Sequence, residues 1–168
     1  MQPLTRVSHE HHDLLWRYVN QLNDLADCLN CDCLDSARLV AQLPQLREVH
    51  DGLTGMLIPH MEAVEAVIYP TLERLLADHE TRVLLAVEHQ EIRRLVTTLG
   101  TFVNDDPAAH ADRATVLGLR RVLLRLYALL KAHLSEEALY IPILEDRLTP
   151  GQEAALARAL DHLAAERL

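Results

Sequence analysis

Ten histidines stand among the 168 residues of this chain, and four of them interrupt apolar runs at helical spacing: His11, His60, His89 and His133. An imidazole on an apolar face must find a partner, because an unsatisfied polar group in a core costs about 1–3 kcal/mol. A metal ion removes that cost for several imidazoles at once, since the neutral ring nitrogen is a common ligand for iron, copper and zinc. Glu137 follows His133 by four residues. The pair therefore shares one helical face and offers nitrogen and oxygen to the same site.

Other side chains compete for the same chemistry. His12 replaces His11 if the register of the first helix slips by one residue. His50 precedes His60 on one stripe by about 15 Å of helix axis, so it reads either as a ligand or as a core or outer-partner histidine. Tyr18 and Tyr69 read as core residues with a polar tip or as phenol oxygens able to ligate iron. Cys28, Cys31 and Cys33 form a C-x-x-C-x-C cluster. Thiols at that spacing either bind a soft metal, form a redox-active disulfide, or simply stay free in a loop.

The elements that must position these groups are helices. The first stripe runs Leu4, Val7, His11, Leu14, Tyr18, Leu22, Leu25, Leu29 and stops at the turn residues Asn30-Cys31-Asp32-Cys33. Asp35 or Ser36 caps a short segment, and Pro44 suits the first turn of the next element. The second stripe runs Leu46, His50, Leu53, Leu57, His60, Val64, Val67, with a kink expected at Pro59 and a stop or bend at Pro70. Asp78 opens a third helix (Leu85, His89, Ile92, Val96, Leu99, Val103), and Asp106-Pro107 opens a fourth (Leu119, Val122, Leu126, Leu130, His133, Glu137, Tyr140) that bends at Pro142. Thr149-Pro150 starts a short last helix ending near Ala165.

Such stripes joined by short connections predict an all-α, up-down-up-down four-helix bundle in one domain, with a short C-terminal helix. His11 and His89 lie early in their helices, His60 and His133 late. In an antiparallel bundle those positions share one end, so the four rings converge on one layer. An echo between roughly 1–77 and 78–148 suggests a pseudo-two-fold core.

Composition excludes several classes. With 5 glycines, 4% aromatics and 49% hydrophobic residues, the chain suits long helices rather than a sandwich or barrel. Sixteen Lys+Arg against 25 Asp+Glu give a net charge of −9, which repels nucleic acid. No apolar run is long enough for a membrane span, and no signal peptide is visible. Three cysteines, an odd number, fit a reducing cytoplasm.

The chain resembles the hemerythrin-like (HHE cation-binding) family over about residues 8–148. The residues that carry the likeness are Glu10-His11-His12-Asp13-Leu14-Leu15, the run Leu57-Ile58-Pro59-His60 through Tyr69-Pro70, Glu88-His89, and His133-Leu134-Ser135-Glu136-Glu137 through Pro142. The resemblance implies a four-helix bundle holding two non-haem iron ions on histidines and carboxylates. The family pattern is His-x-x-x-Glu on both the second and the fourth helix. His133…Glu137 fits it, whereas Val64 stands four residues after His60 and Glu65 stands five. A five-residue step turns a side chain about 140° from the histidine, against about 40° for four. Glu65 therefore either bends back to replace the missing carboxylate or remains a surface acid; in the latter case the second metal binds weakly, or a water or tyrosine bridges.

The resemblance implies a centre that binds or senses dioxygen, with ferrous iron giving it two electrons. Imidazoles outnumber carboxylates, which favours binding, sensing or peroxide chemistry over hydroxylation. The alternatives are turnover of peroxide or nitric oxide at the same centre, and a non-catalytic iron store or structural bundle. A sensing output would pass through a protein partner or a second copy of the chain.

Overall fold

The computed structural model describes residues 3–29, 36–77, 79–104 and 112–165, which form helices and no strand. Helix α1 spans Pro3–Cys28 and α2 spans Ser36–Gly52. A π-helical turn at Leu53–Leu57 leads straight into α3, Ile58–Leu76. Helices α4 (His79–Asn104), α5 (Arg113–Arg147) and α6 (Pro150–Ala165) complete the fold. The expected turn at Asn30–Cys33 and the caps at Asp35, Asp78 and Asp106 lie outside the described residues.

The rods alternate in direction. Arg120 Nε donates to the carbonyl of Ala26 at 3.1 Å while His12 meets Glu137, so α1 and α5 are antiparallel. Arg47 Nε donates to the carbonyl of Val103 at 3.2 Å while Glu65 meets His89, which sets α2–α3 against α4 in the same sense. Glu91 pairs with Arg125 and Glu88 with His133, so α4 and α5 also run opposite ways. The expected up-down-up-down bundle is the observed one.

Pro44 behaves differently from expectation. Pro44 lies inside α2 rather than opening a new element, Pro70 lies inside α3 and so does not stop it, and α5 continues past Pro142. An internal proline costs about 3 kcal/mol. Burial of Val64, Ile68, Tyr69 and Leu72 around Pro70 outweighs that, at about 1.5–3 kcal/mol for each large apolar side chain. Pro59 does disturb the rod. It has no N–H for the carbonyl of Gly55, and the chain answers with the π turn just before it, closed by the Ile58 N–H on the Leu53 carbonyl. Tyr18 lies over Gly52 at the start of this turn, where any Cβ would overlap its ring.

Helix α5 is capped by Asp112, whose carboxylate accepts from the Thr115 N–H at 2.7 Å. Thr149 and Gln152 form a reciprocal cap at the start of α6, with the Thr149 N–H donating to Gln152 Oε1 at 3.0 Å. Buried Glu153 in α6 accepts from the Leu4 N–H at 3.2 Å, and Glu145 in α5 accepts from the Thr5 N–H at 3.3 Å. Two carboxylates thus satisfy two of the orphan donors of α1, where they also complement the helix dipole.

The apolar core comes in two bodies. The larger spans Leu15 to Leu29, Leu39 to Met61, Ile92 to Val103 and Val116 to Leu134. The smaller joins Leu4, Val7, Val64, Tyr69, Leu85 and Leu144 to Ala157 and Leu160 of α6. Between them lies a polar layer, and α6 closes the bundle beyond it.

Candidate metal centre

The polar layer contains His12, His60, His89, His133 and Glu137, none more than 6% exposed. They come from α1, α3, α4 and α5, so all four rods contribute. Glu137 is central. Its Oε2 lies 3.1 Å from His12 Nε2 and 3.0 Å from His60 Nε2. Its Oε1 lies 3.3 Å from His133 Nε2 and 3.3 Å from the Tyr69 hydroxyl. His89 Nε2 completes the second group, 3.1 Å from His133 Nε2 and 2.9 Å from the Tyr69 oxygen. One carboxylate therefore faces two clusters, His12/His60 and His89/His133, and in each the donor atoms lie within 4.8 Å of one another.

Outer partners orient two of the rings. Glu65 Oε1 accepts from His89 Nδ1 at 2.6 Å, which leaves the Nε2 lone pair facing the layer. The same carboxylate oxygen pairs with Arg93 at 2.9 Å. Glu88 Oε2 lies 3.4 Å from His133 Nδ1 and plays the matching part there. The outer nitrogen of His60 is buried without a hydrogen-bond partner.

Several expectations need correcting. His12, not His11, meets Glu137. The stripe of α1 runs through Leu15 and Val19, while Leu14 is 43% exposed. His11 packs edge-on against His60 and turns its Nε2 toward Asp161 of α6, 3.8 Å away. Glu65 does not bend back into the layer: its five-residue offset from His60 carries it behind His89. His50 lies elsewhere, in a groove with Thr54, Arg93 and Gly100, its Nδ1 3.2 Å from Asp51. Tyr18 packs on Gly52, whereas Tyr69 reaches the layer. Cys28 is free and exposed; Cys31 and Cys33 lie outside the described residues. Glu88 received no role from sequence alone. Its place directly before His89 was the available signal, but only the α4–α5 contact aims it at His133.

The charges are coupled. Burial pulls the His89 imidazole down to about 4, with neighbouring His133 adding to the effect. Burial also pulls at His133, but the Glu137 and Glu88 carboxylates outweigh it and raise that ring to about 9. Burial works to raise Glu137, yet His60 and His133 hold its carboxyl well below the usual range. Burial, then the Glu137 charge, pushes the Tyr69 phenol far up, so the phenol keeps its proton and donates a hydrogen bond to Glu137.

These directions fix a pH profile for the protein stripped of metal. The unfolded chain protonates His89 near 6.5 and the fold only near 4, so acid between those values favours unfolding. His133 runs the other way: its contribution is complete below pH 6.5 and is lost as pH rises through about 9. Stability without metal is expected to peak near pH 6.5 and to fall on each side by something on the order of 2 kcal/mol, read from urea midpoints. A profile flat from pH 4 to 9 contradicts the coupling.

The donor set suits a metal pair. All four inward ring nitrogens have the arrangement a divalent or trivalent cation needs: a lone pair aimed inward, or an inward proton held by Glu137 that a cation can displace. Two apolar bodies seal the layer from above and below. No described helix is long and apolar enough to cross a membrane.

No curated protein and no solved structure is similar enough to this chain to match it. A model of the hemerythrin HHE cation-binding domain does match, over residues 3–144, a span that reaches into all four rods and includes every residue of the polar layer. The chain belongs to the hemerythrin HHE cation-binding family.

Proposed function

We propose that the polar layer holds two iron ions and that the protein binds or senses dioxygen or a related diatomic there. His12, His60 and Oε2 of Glu137 hold one ion; His89, His133 and Oε1 of Glu137 hold the other. The observation that carries this reading is the shared carboxylate, with each oxygen facing its own pair of imidazoles. Iron in such a site supplies reversible electron donation to a small ligand.

The rest is work for the chain itself. Glu65 and Glu88 fix the tautomers of His89 and His133. The two apolar bodies and α6 keep bulk water away from the layer, which suits reversible binding rather than hydrolysis. Four imidazoles against one converging carboxylate leave the donor set mostly neutral, which favours the ferrous state in the absence of a ligand. Free Cys28 and a ferrous centre both suit a reducing cytoplasm.

Elemental analysis combined with anaerobic ferrous titration tests this. Two iron atoms per chain are expected, together with a visible band that forms on admitting dioxygen and fades on its removal. Purification with zinc alone, or iron binding with no optical response to dioxygen or nitric oxide, rules the reading out. Steady consumption of added peroxide instead favours the enzymatic alternative.

A further inference from the structure

Helix α3 lacks a carboxylate one turn after His60. Val64 stands there, 3% exposed and part of the smaller apolar body. The centre is therefore short of one anionic donor. The same helix brings back another oxygen further on: Tyr69, 2% exposed, points its hydroxyl into the layer.

Four donor atoms close a ring at this point. Tyr69 O to His89 Nε2 is 2.9 Å, His89 Nε2 to His133 Nε2 is 3.1 Å, and His133 Nε2 to Glu137 Oε1 is 3.3 Å. Glu137 Oε1 back to Tyr69 O is 3.3 Å. Ligands about 2.0–2.2 Å from a metal lie about 2.8–3.1 Å apart at right angles and about 3.3–3.6 Å apart at tetrahedral angles. All four edges fall on or between those values. On the His12/His60 side the oxygen that meets both rings is Oε2 of Glu137.

We propose that the Tyr69 oxygen is a phenolate ligand of the His89/His133 half of the centre, supplying the negative donor that Val64 leaves out. The inference rests on the iron-centre reading above. On binding, the Tyr69 O–H bond breaks, an oxygen–metal bond forms and the proton passes to solvent; no electron moves.

The two halves then differ. The Tyr69 half has a hard anionic oxygen and imidazoles made more basic by Glu65 and Glu88. The other half has His60 with no outer partner. Iron therefore enters the His89/His133 half first and is more readily ferric there.

The test uses the full chain loaded with iron and oxidised. The wild type is expected to show a visible phenolate-to-ferric charge-transfer band with phenolate ring modes in its resonance Raman spectrum. Tyr69→Phe keeps the ring packing, and it is expected to lose both signals and to bind the first iron at least tenfold more weakly. Tyr18→Phe and Tyr127→Phe keep them. If Tyr69→Phe does not fold, ring-deuterated tyrosine in the wild type must shift those Raman modes, and Tyr140→Phe must leave them in place. Wild-type protein with two irons and no phenolate signal, or a signal surviving in Tyr69→Phe, overturns the ligand while leaving the iron centre standing. Failure of the wild type to bind iron at all overturns both.

Discussion

Replacing Glu137 by Ala is expected to empty both halves of the centre, not one. Oε2 lies 3.0–3.1 Å from His12 and His60, and Oε1 lies 3.3 Å from His133, about as far as neighbouring ligands on one ion. Iron content should fall from two atoms per chain to a small fraction of one, a loss of at least a hundredfold in affinity, measured by titration with ferrous iron. The same change is expected to destabilise the metal-free fold by about 2–3 kcal/mol, because His133 loses its buried counter-charge. Glu137→Gln separates the two effects. It keeps the side-chain shape but offers one oxygen, so it is expected to fold and to hold at most one iron. A variant that still binds two irons places the bridge elsewhere.

Metal loading is expected to raise the melting temperature by about 10 °C. The ligands sit on four separate rods, so an ion bound only by the native arrangement stabilises it by mass action. At a free metal concentration a thousandfold above Kd the gain is about 4 kcal/mol, and a domain of this size shifts by about 2–4 °C per kcal/mol. Calorimetry with and without a ferrous chelator measures it. His12→Ala is expected to forfeit much of the shift, whereas His11→Ala retains it. The reverse order would show that the register of α1 in solution follows the sequence stripe after all.

That register shows where reading the chain stops. Along α1 the apolar positions come as doublets: Leu14-Leu15, Tyr18-Val19 and, at the critical point, His11-His12. Neighbours on a helix are about 100° apart, so both choices leave a plausible stripe. Contact with α5 breaks the tie, since only the face bearing Leu15 and Val19 also brings His12 to Glu137. Glu65 gives a similar lesson. Its angle from His60 left it either bending back into the layer or staying a surface acid, and it does neither. The packing of α3 on α4 puts it against His89. Pro44 misled for another reason: its local cost inside a helix is offset by the burial of Leu43 and Leu46 beside it.

Sequence alone was enough for the four antiparallel rods, the gathering of histidines from each rod and the His133–Glu137 pair, because all three follow from helical period and from position along each helix. Only tertiary structure could choose His12 over its neighbour, divide the two oxygens of Glu137 between opposite histidine pairs and bring the Tyr69 hydroxyl beside them. Those facts depend on the rotation of each rod about its own axis and on contacts between residues far apart in the chain, which periodicity does not encode.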